Sequence, residues 1–557
     1  MRANLPCGPG FAACNVRRVQ APIFQFNRHR AEIERETVDR SLVGLQSFGG
    51  VDPPRSWQLV LNDAAYHEIR RLEQSAGRDR AAVEAWHRLA RRLTRMNADE
   101  LRDEVHTRCV QIVRDVQGHF DRRVYDVATR VLPVGLGTLF KGGDLIAGEG
   151  AESLRDLSQR IRIEGDIDHI RALAGRGTLV FVPTHSSNMD SIVLGWALTE
   201  AGLPPVTYGA GKNLFSNPVI AFFMRNLGAY RVDRRLKYTL YKEVLKTYSQ
   251  VLLERGYHSL FFPGGTRSRS GTIEQRLKLG LLGSALSATS ERLRRGDTRP
   301  IFVVPVTINY PLALEAESLI EDWLKESGRA NYLAEDDDFS TLAKLAAYTA
   351  RVLRLDTSVT LRFCAPMDMF GNPLDAEGQS LSPDGRPLRR ERYLFREGQP
   401  VDDPERDAEY TRMLGRAVAS AFERDTIILP TQLVAWLCLE RERRIAPGLD
   451  LFALLRTTSG DPHALADLCV DGDWARAALT RLENAGRLRL DPCVRSKPMA
   501  EIVREAVRSF ESYHLRPALE LRGDAVLVGD PKLLFYYGNR LEPWAETLRR
   551  ALTVGRS

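Results

Sequence analysis

Residues 178–198 read TLVFVPTHSSNMDSIVLGWAL, and the order of patterns inside this stretch decides the fold class. A β-branched apolar run over 179–183 gives way to small polar residues, and apolar residues at helical spacing follow. That order predicts strand, turn, helix. The turn holds His185 and Asp190. Such junctions expose side chains and leave backbone N–H groups free. An imidazole oriented by a carboxylate is the general-base half of a hydroxyl-activating pair. Spacing alone gives the pair little weight, because in a straight helix the two side chains lie on different faces and must meet through the turn. A second reading is a plain helix N-terminus, with Asn188 or Asp190 near the cap and His185 a polar neighbour.

Outward from this stretch, strands and helices alternate from about 156 to 374. Strand candidates fall at 179–183, 205–208, 258–262, 301–307 and 359–364. The clearest helix is KYTLYKEVLKTYSQVLLERG, 237–256, with Leu240, Val244, Tyr248 and Val251 on one face and Gly256 at C′. This is an α/β pattern, a mixed sheet flanked by helices. The chain is expected to divide into an irregular segment over 1–55, helices over 56–150, the α/β domain over 151–375, a linker or exposed excursion over 376–405, and a mostly helical region over 406–557. VLPVGLGTLFKGG, 131–143, is short, apolar and broken by glycine, suited to lipid contact or to a buried connection. LTRLENAGRLRLDPC near the end has the helix–turn–strand form of a winged helix, but no basic recognition face accompanies it, and nucleic-acid binding is not expected.

A chain of 557 residues exceeds one core and predicts two to four domains. It carries 79 Lys+Arg against 72 Asp+Glu, with a pI near 9.0. A basic surface suits phosphates, nucleic acid or an anionic membrane equally. The seven cysteines are scattered without a C-x-x-C pair, which argues against a disulfide framework or zinc site and for a reducing compartment. No signal peptide and no membrane span are expected, so the protein should be soluble or peripheral.

Two further stretches carry polar chemistry at the ends of predicted strands, and a third, mostly apolar, reads on its own as core. In FFPGGTRSRSG, 261–271, glycines free the backbone and Arg267 and Arg269 follow, interleaved with Thr266, Ser268 and Ser270; Lys278 lies just beyond. Backbone N–H groups and guanidinium forks bind phosphate, although a solvent-exposed turn with surface arginines has the same pattern. In 209–235, a glycine-framed turn bears Lys212 and Asn213, an apolar helix starts at Pro218, and Arg231, Arg234 and Arg235 form a basic exit. IFVVPVTINY, 301–310, is an apolar strand containing Pro305 and ending at Tyr310.

Taken in order, these four stretches resemble the four sequence blocks of the glycerolipid acyltransferases. His185–Asp190 matches the H-x-x-x-x-D block, GAGKNL through RVDRR the second, FFPGGTRSRSG the third and VVPVTINY the fourth. The chain looks more closely like the bacterial, membrane-associated glycerol-3-phosphate acyltransferases, over roughly 157–542. LRFCAPMDMF, ILPTQLVAWL and VGDPKLLFYYGNRL extend the likeness toward the C-terminus. The resemblance implies acyl transfer from acyl-CoA or acyl carrier protein to the sn-1 hydroxyl of glycerol 3-phosphate. It implies His185 as general base and Asp190 as its orienter. Arg267, Arg269, Lys278, Arg234 and Lys212 would hold the phosphate. Asn213, Gly265, Thr266 and Ser268 would form the substrate and oxyanion loop, with Gly265 an oxyanion donor, and Pro305 and Tyr310 would be structural. It also implies no metal or cofactor beyond the thioester, and peripheral attachment to an anionic membrane on its cytoplasmic side.

Two positions depart from the family. Gly264 stands where the third block usually has an acidic residue, and Asp233 stands where close bacterial members have Arg. The departures leave dihydroxyacetone phosphate and 1-acylglycerol 3-phosphate open as acceptors. They also leave open a degenerate homologue that binds lipid or acyl carrier without catalysis.

Overall fold

The computed structural model describes residues 21–74, 79–129, 161–215, 218–313, 315–327, 358–457, 462–514 and 517–554. The apolar stretch 131–143 lies outside the described residues.

The centre is a seven-stranded sheet. Its strands are β1 (Ile161–Glu164), β2 (Thr178–Pro183), β3 (Thr207–Gly211), β4 (Ala229–Val232), β5 (Ser259–Leu260), β6 (Ile301–Asn309) and β7 (Val359–Phe363). They lie in the order β1-β7-β6-β2-β5-β3-β4. Only the β6–β7 join is antiparallel, so the sheet is mixed, as the sequence predicts. Every residue of β2 and of β6 is buried. Continuous apolar runs suit strands covered on both faces, and these two sit side by side near the middle, with Val182 opposite Pro305.

Two strands escaped the sequence reading. β4 (AYRV) lies in the stretch read as a helix with a basic exit, and β1 (IRIE) precedes the first predicted strand. Both are four-residue strands at the edges of the sheet, too short and too polar for a period to declare itself.

The irregular segment expected over 1–55 is replaced in part by a helix. The N-terminal helices are α1 (Phe26–Leu45), α2 (Pro53–Glu73), α3 (Arg80–Arg92) and α4 (Ala98–Val116). They share a core with α8 (Thr239–Glu254), the predicted helix, whose Leu240, Val244, Tyr248 and Val251 are all buried in it. Gly256 follows α8 with φ +85°, the left-handed C′ position that glycine adopts without strain. At the other end of α8 the first N–H, on Thr239, is capped from α2 by Asp63 Oδ2 at 2.7 Å. Arg40 of α1 forks onto Glu254 at 2.7 and 2.9 Å. α8 also reaches the second core: Leu252 belongs to the N-terminal cluster and Leu253 to the sheet's.

The remaining helices pack about the sheet. They are α5 (Ile167–Arg176), α6 (Asp190–Glu200), α7 (Pro218–Asn226), α9 (Gly280–Arg294) and α10 (Ala316–Ser327). Residues 376–405 form a chain of turns and a short hairpin, Phe395–Arg396 with Gln399–Pro400. The C-terminal α-helices of eight residues or more are α11 (Pro404–Asp425), α12 (Pro430–Ile445), α13 (Leu465–Asn484), α14 (Met499–Tyr513), α15 (Pro531–Gly538) and α16 (Ala545–Val554). Their apolar side chains are continuous with the sheet's core. Hydrogen bonds fasten this region to the end of β6: Asn309 Oδ1 accepts the Ile427 N–H, and the Tyr537 hydroxyl accepts the Ala313 N–H. Among the described residues no helix is long and apolar enough to cross a membrane.

Gly271, at the end of the third block, has φ +77°, and a Cβ there would lie 1.9 Å from the Tyr536 carbonyl oxygen of α15. Gly271→Ala combines left-handed strain with a backbone clash, and should cost roughly 3 kcal/mol, seen as a lowered Tm.

Candidate active site

β2 delivers the chain to a turn at its carboxyl end, and α6 starts at Asp190. Asp190 is fully buried, and its Oδ2 accepts three hydrogen bonds: His185 Nδ1 at 2.8 Å, Ser186 N–H at 2.7 Å and Ser187 N–H at 2.9 Å. So the pair does meet through the turn, and the carboxylate closes that turn while holding the imidazole. A proton on Nδ1 satisfies that bond, which leaves Nε2 as the acceptor nitrogen. The ring also stacks on Phe262, with centroids 4.3 Å apart and planes inclined by 27°. Two partners on two sides therefore fix its orientation.

The third block follows β5. Ser268 N–H donates to the His185 carbonyl at 2.8 Å, and the Ser268 hydroxyl closes its own loop on the Thr272 carbonyl. Gly265, with φ +77°, turns the chain, but its N–H donates to the Phe262 carbonyl at 3.1 Å. The expected oxyanion donor is therefore already engaged inside the turn. Thr266, next along, is exposed.

Together these loops wall a cleft of about 160 Å³. His185, Asn188 and Ser191 line it from the first block, and Gly209 to Gly211 and Leu214 from the end of β3. Arg234 enters after β4, and Phe262, Thr266, Arg267 and Arg269 after β5. Leu319 and Asp322 of α10 complete it. All but α10 meet at the carboxyl ends of parallel strands, where open α/β sheets collect ligands.

The arginines have different company. Arg267 pairs with Glu315 at 3.3 Å, both nearly buried. Glu315 in turn accepts the Ser187 hydroxyl at 2.9 Å and the Asn188 N–H at 3.1 Å, so it ties the arginine loop to the histidine turn. Burial raises the Glu315 pKa, and the Arg267 charge opposes that shift. Arg269 pairs with Glu326 at 2.5 Å. Arg234 makes no ion pair among the described residues. Desolvation first, and then repulsion from Arg267, lower its pKa. Two guanidinium groups that repel each other across a cleft create positive potential that an anion relieves.

Lys212 is elsewhere. Its Nζ lies 3.3 Å from Asp233, and it is not part of the cleft wall. Asp233 also accepts the Arg235 N–H and guanidinium, at 3.1–3.2 Å. Burial alone would raise the Asp233 pKa, but these bonds and the charges of Arg235 and Lys212 hold it below the usual value. Asp233 is thus a buried anchor for the loop that presents Arg234. Lys278 is exposed beside Gly265, also off the cleft wall. The side chain of Asn213 lies outside the described residues. Tyr310 lines a separate small cavity of about 30 Å³ with Ser186, Tyr536 and Arg540.

Three charged residues at the site went unread in the sequence: Glu315, Glu274 and Arg540. Glu274 Oε1 accepts the His185 N–H at 2.7 Å, while its Oε2 is shut from solvent without a hydrogen-bond partner. Part of the residue stays at the surface, but its carboxyl does not. Desolvation pushes that carboxyl up to about 8; the His185 N–H and Arg540 pull it down, and the Asp190 charge adds to the rise. A raised pKa means that the folded protein holds a proton which the unfolded chain releases near 4.5. The stability from this group is complete below the unfolded value and is lost as pH rises to the folded one. Across pH 5–8 the wild-type stability should fall by up to a few kcal/mol more than that of Glu274→Gln, at about 1.4 kcal/mol per pK unit, and a series of melting curves should show it as the steeper drop in Tm.

Residues 160–309, which contain both loops, match the family model described as Acyltransferase. This stretch is an acyltransferase domain. Curated relatives of the domain include the glycerol-3-phosphate acyltransferase of Actinobacillus pleuropneumoniae serotype 5b, 37% identical over 168 residues, which are 30% of this chain and 20% of that protein. Another, from Pseudoalteromonas atlantica, is 32% identical over 224 residues, 40% of this chain and 26% of that protein. The match thus spans a fifth to a quarter of those relatives' length. Among solved structures, the 1-acyl-sn-glycerophosphate (LPA) acyltransferase from Thermotoga maritima is 16% identical, covering 48% of this chain and 87% of that one with a TM-score of 0.23. All four stretches singled out in the sequence begin inside the acyltransferase domain, whereas Glu315 and Arg540 lie beyond its matched end.

Proposed function

We propose that this cleft transfers a fatty acyl group from a thioester, acyl-CoA or acyl carrier protein, to the sn-1 hydroxyl of glycerol 3-phosphate, giving lysophosphatidic acid. The observation that carries this reading is one juxtaposition: the His185–Asp190 pair faces the same cleft as Arg234, Arg267 and Arg269. A base poised for a hydroxyl and cations poised for a phosphate suit an acceptor that has both. The name of the curated relatives supports the same acceptor.

In this mechanism Nδ1–H stays on Asp190, and Nε2 takes the proton of the attacking hydroxyl. The oxygen bonds to the thioester carbonyl carbon, and the oxyanion forms near the Thr266 N–H, which bonds no other group among the described residues. The tetrahedral species then collapses. The C–S bond breaks, and the thiolate leaves with the proton from the imidazolium. No acyl-enzyme is needed. Arg234 and Arg269 hold the phosphate, and Arg267 shares its charge between that phosphate and Glu315. The acylated product belongs in a bilayer, so the enzyme works at the anionic cytoplasmic face of the membrane, and the exposure of Phe222 on the apolar helix α7 supports contact there.

The test supplies one acyl-CoA and measures free thiol with each of three acceptors. Release with glycerol 3-phosphate supports the reading. Release only with dihydroxyacetone phosphate or 1-acylglycerol 3-phosphate moves the acceptor, and release with none of them leaves a lipid- or acyl-carrier-binding protein.

A further inference from the structure

Gly264 has no backbone reason to be glycine. Unlike its neighbour Gly265, it does not have a positive φ. What excludes a side chain there is Glu274: a Cβ on residue 264 would lie 2.5 Å from Oε2, 2.7 Å from Cδ and 3.0 Å from Oε1 of that carboxyl. The same carboxyl accepts the His185 N–H, the backbone donor immediately before the Asp190-bonded turn. A carboxyl carried on residue 264 would therefore start from the space that the Glu274 carboxyl now fills.

We infer that positions 264 and 274 constitute one exchangeable carboxyl site, and that Glu274 is the positioning residue which fixes the His185 turn from a different point in the chain. The charged groups around this carboxyl are Asp190 from α6 and Arg540 from the segment after α15, with Tyr536 beside Arg540. The inference rests on the proposed acyl transfer only for its kinetic readout.

The experiment uses the full chain as wild type, Glu274→Ala, Glu274→Gln, Gly264→Glu and the double variant Gly264→Glu/Glu274→Ala. Two readouts are taken: thiol release with acyl-CoA and glycerol 3-phosphate, and the rate at which diethyl pyrocarbonate modifies His185, followed by peptide mass spectrometry. Glu274→Ala should lose about 10- to 100-fold in kcat with little change in KM, and Gly264→Glu, with two carboxyls in one space, at least as much. The double variant should return to within about 5-fold of wild type. Glu274→Gln keeps an acceptor for the His185 N–H, so it should lose far less than Glu274→Ala, and an inflection expected of wild type near pH 8 should be absent from it. The His185 modification rate should change at least 3-fold in both disruptive single variants and revert in the double variant.

A folded double variant no better than Glu274→Ala overturns the inference, as does a double variant that does not fold. If wild type releases no thiol, the functional reading fails, and the His185 modification rates alone decide the exchange.

Discussion

Replacing His185 with alanine should lower kcat by about 10³-fold or more and leave the protein folded. A positioned general base accounts for about 10²–10⁴-fold on its own. The fold should survive because Asp190, although fully buried, keeps two of its three donors, the Ser186 and Ser187 N–H groups. Its charge therefore stays compensated when the imidazole is gone. Asp190→Asn should be nearly as damaging, since an amide can donate to Nδ1 and so favours the tautomer with its proton on Nε2. The measurements are single-turnover thiol release and a melting curve. Turnover of His185→Ala within tenfold of wild type would place the base elsewhere.

The second large effect is expected at Arg267, and it separates two kinds of arginine. Arg267→Ala leaves Glu315 nearly buried without its cation, and removing one partner of a buried pair costs about 3–5 kcal/mol. Because Glu315 also holds Ser187 and Asn188, the histidine turn should loosen, and both Tm and kcat should fall. Arg234→Ala removes a guanidinium with no ion pair among the described residues. Its Tm should be near that of wild type, while KM for glycerol 3-phosphate rises about 10- to 100-fold and KM for the thioester stays. If the two variants shift Tm and KM alike, the division of labour between them is wrong.

Much of this arrangement was legible in the chain. β2 and β6 declare themselves because a strand buried on both faces is apolar along most of its length, here Leu179–Val182 and Ile301–Val306. The histidine turn and the arginine loop were legible as a set, because each follows a strand end in the order of a known family. The sequence could not reveal which cation faces the cleft. Lys212 and Arg234 stand in the same basic stretch, and only the position of Asp233 separates them, holding the lysine by its side chain and presenting the arginine. Gly265 was equally opaque, since the use of its N–H depends on a φ of +77° and on the carbonyl that this turns toward it. Glu274, Glu315 and Arg540 occur in unremarkable local sequence. A buried charge acquires its meaning from tertiary partners, and those are 89, 128 and more residues away.

The contact between Gly271 and Tyr536 has a practical corollary for anyone expressing this protein in pieces. A fragment cut to residues 160–309 would keep the histidine and all three cleft arginines. It would also strip the Tyr536 backbone from the arginine loop, the Arg540 guanidinium from behind the His185–Asp190 pair, and the helices that cover β6. The segment recognised by similarity is thus smaller than the mechanical unit. Truncation at its edge should yield insoluble material whose inactivity says nothing about the chemistry of its residues.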